Sequence, residues 1–242
     1  MSASAKGRVD GQAAYVLHTR PFRETSLIVE AFSRDYGRVA LLARGARRPR
    51  SSLRGLLLAF QPLELGWFGQ GEVRTLAKAE WTGGQPPLQA QSLLLGYYMN
   101  ELLLKLLPRE DAHPSLFRAY AETVQALAIG DAGQASLRRF EKILLRELGY
   151  GLTLDREAGS GRAVEPQKRY VYVLERGPQP LESGMEQEES FSGRTLLAIA
   201  RDDFSEPETL VECKRLMRRL IQYYLGPQRL ESRRVFMELQ DL

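Results

Sequence analysis

The sequence predicts an α+β protein: a small five-stranded β-barrel followed by a mainly α-helical region. Three observations carry this. Short apolar runs separated by tight-turn residues extend from Gln12 to Trp81 with no intervening helical period. A glycine- and proline-rich stretch, "TGGQPPLQAQ" (82–91), follows. Beyond it, apolar residues recur at helical spacing. The chain divides accordingly into residues 1–81, a linker at 82–91, and a helical region 92–242 interrupted by an irregular insert at 152–191.

The strands are expected in "AAYVLHT", which breaks at Arg20-Pro21, then "TSLIVEAFS", "RVALLARG", "LLLAFQPLELGWFG" and "VRTLAKAEW". Turns fall at Asp35–Gly37 and Gly69–Gly71, where glycine supplies the backbone freedom. The last run shows the alternation of a half-buried strand: Val73, Leu76 and Ala77 are interleaved with Arg74, Thr75 and Lys78. Five strands in about 70 residues match the oligonucleotide-binding (OB) barrel in size. An SH3-like barrel fits the same pattern.

In the helical region, Ser92 can cap the apolar run "SLLLGYYMNELLLKLL" (92–107) and Pro108 stops it. That run is too short to span a bilayer, and Glu101 and Lys105 interrupt it at the i,i+4 spacing of an ion pair. Residues 115–129 form a second helix. "SLRRFEKILLRELGYG" forms a third, with Leu137, Phe140, Leu144 and Leu148 on one face. A fourth begins at Pro207, lines Leu210, Cys213, Met217, Leu220 and Tyr224 along one side, and ends at Gly226-Pro227. "ESRRVFMELQ" closes the chain as a short helix. The insert contains one strand, "RYVYVLE", and an acidic stretch, "ESGMEQEES".

Charge is unevenly placed. Residues 1–80 hold 13 Lys and Arg against 7 Asp and Glu, while the remainder holds 21 against 23. The basic excess of the first third points to a polyanion partner there. The chain opens without the apolar core of a secretory signal. Its single cysteine, Cys213, allows neither an internal disulfide nor a cysteine cluster for zinc, which fits a reducing, cytoplasmic setting.

No catalytic constellation assembles. His18 lies in a strand and His113 precedes a proline in a loop, neither at metal-ligand spacing. Cys213 falls on an apolar helix face, the position of an inert buried thiol. "GSGR" and "GQGE" lack a phosphate-loop lysine. Asp202-Asp203 reads as the decoration of a helix start rather than a metal site.

The arginine stretch differs in kind. From Arg38 to Arg54 there are six arginines, Arg38, Arg44, Arg47, Arg48, Arg50 and Arg54, and no acid. Guanidinium forks onto phosphate oxygens and stacks on bases. Gly45, Pro49, Ser51 and Ser52 keep the segment from being helical, so a flexible loop between the third and fourth strands is expected. A merely solvated loop is the alternative. Phe22, Tyr36, Phe60, Trp67 and Phe68 lie in the same region; any that is exposed could stack a base, and any that is buried serves the core.

Two further basic sets have two readings each. Lys214, Arg215, Arg218 and Arg219, followed by Arg229, Arg233 and Arg234, are either a solvated helix face or auxiliary phosphate contacts. Arg138 and Arg139 flank the apolar stripe of the third helix. Arg138 can pair with Glu141 at i,i+3, or the two arginines can clamp an acidic or C-terminal carboxylate peptide.

With these features in place, the chain resembles the bacterial RecO family of DNA repair proteins. The likeness runs along nearly the whole sequence and is strongest in residues 15–65, in "LRRFEKILLRELGY" (137–150) and in "GPQRLESRRVF" (226–236). It implies an OB-fold followed by a helical domain, with no catalysis and no cofactor. It implies binding of single- and double-stranded DNA, annealing of complementary strands, action at the nucleoid, and, with RecR, loading of recombinase onto DNA coated by single-strand-binding protein. The C-terminal tail of that coating protein would be docked by the helix carrying Arg138 and Arg139. The six arginines from Arg38 to Arg54 take the family's basic OB surface. Many members carry a four-cysteine zinc module in the region matching 152–191; this insert has no cysteine, so no zinc is expected, and Tyr170–Leu174 would be what remains of the small sheet. A protein–protein adaptor working through its helical half, and a nuclease, are the competing functional classes.

Overall fold

The computed structural model describes residues 7–130, 133–181 and 190–240. The acidic part of the insert, 182–189, lies outside the described residues. Two compact units divide at Asp131/Ala132, and the C-terminal stretch from Arg229 returns to the first.

In the first unit, β1 (Val9–Phe22), β2 (Ser26–Ser33), β3 (Gly37–Ala43), β4 (Pro62–Phe68) and β5 (Val73–Trp81) close into a barrel in the order β1-β2-β3-β5-β4. All neighbours are antiparallel except β3 and β5. This is an OB-fold. Strand β1 does not break at Arg20-Pro21 as expected; it runs on to Phe22, with Pro21 paired to Leu27 near the strand's end. Its first half pairs with β4 and its second with β2, which closes the cylinder. Alternate residues point inward: Ala14 and Val16, Val29 and Ala31, Val39 and Leu41, Leu63, Leu65 and Trp67 form the core. Gly37, at φ +62, ends the β2–β3 turn so close to Asp111 that a Cβ would lie 1.9 Å from its carbonyl oxygen.

The outer face of β1, β2 and β3 is also apolar, and two helices cover it. They are α2 (Ala90–Leu106) and α3 (Pro114–Ala128). Tyr15 and Phe32 project outward and meet Phe117 and Tyr120, with ring centroids 5.1 to 6.1 Å apart. Asn100 donates to the Leu17 carbonyl at 2.9 Å and accepts from the Tyr120 hydroxyl at 2.6 Å, so these buried polar groups are satisfied. Helix α2 starts at Ala90 with Gln89 in the cap position; Ser92 lies inside it and caps nothing. Between β3 and β4 sits α1 (Leu53–Leu56), a single turn whose length gives no periodicity to read. The chain's last described helix, α7 (Glu231–Gln240), packs on α2. Glu101 of α2 accepts the α7 amides of Glu231 and Ser232 at 2.8 and 2.9 Å and the Ser232 hydroxyl at 2.6 Å. It therefore supplies from outside the cap that a helix N-terminus needs.

The second unit holds α4 (Gln134–Glu147), α5 (Gly193–Ala200), α6 (Pro207–Leu225) and a sheet of β6 (Arg169–Val173), β7 (Gly177–Pro180) and β8 (Ser190–Ser192) in the order β7-β6-β8. The insert thus carries three short strands rather than one, and α5 follows directly. Two of the strands are only three or four residues long, below the length at which alternation shows. Tyr170, Tyr172 and Phe191 are its buried aromatics. Pro207 occupies the first turn of α6, whose Cys213, Met217 and Leu220 are buried. Among the described residues no helix is long and apolar enough to cross a membrane.

Candidate nucleic-acid interface

The arginine stretch joins β3 and β4 as a chain of turns that runs into α1. Gly45 takes φ +67, and successive backbone bonds run from Arg48 N to Gly45 O, Ser51 N to Arg48 O and Arg54 N to Ser51 O, at 3.0 to 3.2 Å. Ala46, fully buried, inserts into the barrel core together with Leu57. The Arg47 amide donates to the Thr25 carbonyl at 2.8 Å, and its guanidinium donates to the carbonyls of Arg23 and Glu24 at 3.3 and 3.2 Å. The stretch is thereby tied to the β1–β2 turn, which brings exposed Arg20 and Arg23 to the same end of the barrel. Arg44, Arg47, Arg48, Arg50 and Arg54 are all exposed, and none pairs with an acid among the described residues. Sequence reading passed over Arg20 and Arg23 because the pairing that joins them to the stretch is tertiary.

Arg38 stands apart. It lies in β3 on the outward face, under α2, and its guanidinium donates to the Leu104 carbonyl. Burial lowers its pKa, nearby Glu30 raises it and Arg109 lowers it. Arg109 binds Glu30 beside it. Arg38 is a strut between barrel and helix.

On α4 the two adjacent arginines have different surroundings. Arg138 is buried and pairs with fully buried Glu141 at 2.8 Å. Arg139 is exposed, with its guanidinium 5.3 Å from the centre of the Phe204 ring and a long bond, 3.3 Å, to the Asp202 carbonyl. Next to it Lys142 donates to the carbonyls of Ile199 and Ala200 and to the Asp202 carboxylate, at 2.7 to 3.0 Å. Asp202-Asp203 accordingly follows the end of α5 rather than starting a helix: Asp202 neutralises Lys142, and Asp203 accepts from Ser205.

On α6, Arg215 binds the Ser190 carbonyl and lies 4.7 Å over Phe191, while Lys214 and Arg218 are exposed and Arg219 half-buried. On α7, Arg234 pairs with Glu231 at 2.8 Å, and Arg233 is half-buried. Of the aromatics in the first unit, Phe60 and Trp67 belong to the core and Phe22 is half-buried. Tyr36 rests edge-on against Trp67 at 5.4 Å. Phe68 is 45 % exposed, and so, at 55 %, is Trp81, which the sequence reading did not single out.

Burial pushes the Cys213 thiol up to about 12, which leaves it protonated and unreactive. His113 sits 3.3 Å from the Asp111 carboxylate. Among the described residues no group of three or more His, Cys, Asp and Glu could hold a metal ion.

Two family models match the chain. "Recombination protein O N terminal" covers residues 11–85 and "Recombination protein O C terminal" covers 88–234. Relatives described as "DNA repair protein RecO" share 58 % identity in Aromatoleum aromaticum over 99 % of this chain and 100 % of the relative. In Dechloromonas aromatica the identity is 56 % over 98 % and 99 %, and in Ralstonia nicotianae 48 % over 100 % and 89 %. The barrel, the helices that follow it and these full-length likenesses agree: the chain belongs to the RecO family of DNA repair and recombination proteins.

Proposed function

We propose that the chain is a non-enzymatic DNA-binding protein of recombinational repair. It binds single- and double-stranded DNA, anneals complementary strands and, with RecR, helps to load recombinase onto DNA coated by single-strand-binding protein, acting in the cytoplasm at the nucleoid. The observation that carries this reading is the arginine turn: five exposed guanidiniums without acidic partners among the described residues, held by backbone bonds at one end of an OB barrel beside Arg20 and Arg23. Phosphate neutralisation releases counterions, and five such contacts on a single strand give a log K against log salt slope of about −3.5. With two strands held, the same neutralisation lowers the repulsion between them, so pairing nucleates more readily. Lys214, Arg218 and Arg219 on α6, with Arg215 and, on α7, Arg233 and Arg234, are auxiliary phosphate contacts in this reading.

Docking of the acidic C-terminal tail of single-strand-binding protein falls to α4. The exposed Arg139 supports this; Arg138, tied to Glu141, contributes by holding the helix. If this docking were the main activity and DNA contact secondary, the chain would be an adaptor. One experiment separates the two: annealing on bare and on protein-coated single strands, with Arg48→Ala/Arg50→Ala and Arg139→Ala measured separately. The arginine-turn variant should fail on both substrates and Arg139→Ala only on the coated one. An unchanged affinity and salt slope in Arg48→Ala/Arg50→Ala removes the turn from the account.

A further inference from the structure

In an OB-fold the strand-2 and strand-3 side of the barrel is the usual nucleic-acid face. Here that face is filled: Tyr15, Ile28, Phe32 and Ala40 are buried, with Tyr15 and Phe32 under Phe117 and Tyr120. Phosphates gathered at the arginine turn therefore need another surface for the bases that accompany them.

The register of the barrel supplies one. Leu42 of β3 pairs with Thr75 of β5, and Thr75 pairs with Phe68 of β4. Their neighbours Leu41, Leu76 and Trp67 point into the core, so Leu42, Thr75 and Phe68 form one outward row across three strands. Leu42 and Thr75 are half-buried, Phe68 is 45 % exposed, and Val73, two residues before Thr75 on the same side of β5, is 44 % exposed. Arg44 leaves β3 two residues beyond Leu42, at the start of the arginine turn. With strands about 4.8 Å apart and residues about 3.3 Å apart, Phe68 lies on the order of 12 Å from Arg44. That is inside the span of the roughly 4–16 nucleotides an OB-fold holds. Further along β4 and β5 the outward face turns charged: Glu64 and Glu80 face each other across the strands, and Lys78 pairs with Glu80 at 2.9 Å. The uncharged row and the basic turn thus match the two halves of a nucleotide, apolar base and anionic phosphate.

We infer that a single strand leaves the arginine turn across the outer face of β3, β5 and β4, and that Phe68 is the platform on which one of its unpaired bases stacks. This rests on the proposed DNA-binding function and names the base-contacting side chain within it. A duplex, whose bases are already stacked, gains nothing from Phe68.

The test is fluorescence anisotropy with the full chain and three probes: oligothymidine, an abasic oligonucleotide of equal length, and a duplex. Phe68→Ala is expected to weaken oligothymidine binding about tenfold and to leave the abasic strand and the duplex unchanged. Phe68→Trp should keep the affinity, and its indole emission should be quenched by oligothymidine and not by the abasic strand. Arg48→Ala/Arg50→Ala should weaken all three. If Phe68→Ala binds oligothymidine as the parent does, or loses affinity for all three probes alike, the platform is wrong while the arginine turn stands. If Arg48→Ala/Arg50→Ala also binds as the parent does, the DNA-binding role of the turn itself fails.

Discussion

Arg47 and Arg48 are adjacent in sequence and do different work. The Arg47 guanidinium closes the arginine turn onto the carbonyls of Arg23 and Glu24, whereas Arg48 and Arg50 make no such bonds among the described residues. Arg47→Ala should therefore cost about 1 kcal/mol of stability in urea melts as well as DNA affinity. Arg48→Ala/Arg50→Ala should leave the melt within about 0.5 kcal/mol while reducing the magnitude of the salt slope by about 1.4. A sharper contrast holds on α4. Arg138→Ala breaks a buried ion pair with Glu141 and should destabilise the protein by several kcal/mol, read by thermal or urea unfolding. Arg139→Ala, at an exposed position, should change stability little. A loss of tail binding in the first variant alone would then report damage to the helix, not a lost contact.

At the scale of elements, α7 depends on a carboxylate from another helix. Burial works to raise the pKa of Glu101, but hydrogen bonds from Ser232, Glu231 and Lys105 outweigh it and lower the value overall. A carboxyl whose pKa is lower folded than unfolded contributes stability above its ordinary value, lost as pH falls through that range. The protection of α7 amides, relative to their intrinsic exchange, should be lost at acidic pH below the usual carboxylate range before the barrel's, and Glu101→Gln should lower it at neutral pH. The strands and long helices were legible because alternation and the 3.6-residue period survive over seven residues or more: β3, β5, α4 and α6 are where their patterns place them. Single-turn α1 and the short strands β7 and β8 carry too few residues for a period; β7 is defined by its tight hairpin with β6, and β8 by pairing with β6 across the insert.

For the whole molecule, the buried weak acids set an alkaline limit. Burial holds the Tyr172 phenol at about 12 and the Cys213 thiol also at about 12. In the unfolded chain these protons leave near 10 and 8.5 respectively. Between those values and 12 the unfolded state binds fewer protons than the folded one, so stability, complete below about pH 8, falls as pH rises. Chemical denaturation at pH 8, 10 and 11 should show the midpoint dropping, and Tyr172→Phe should flatten the fall. The thiol should resist alkylation at pH 8 until urea unfolds the chain.

By itself the sequence determined the architecture and the location of the basic charge. Local periodicity encodes strands and helices, and an arginine run without acids is visible in one dimension. It did not determine which arginines are available. Arg38, Arg44 and Arg138 look alike in sequence; tertiary packing places the first under α2, leaves the second in solvent and pairs the third with Glu141. The same packing covers the outer face of β1, β2 and β3 with α2 and α3 and leaves Phe68 exposed, because burial is decided by which apolar surfaces meet, and those surfaces come from segments tens of residues apart.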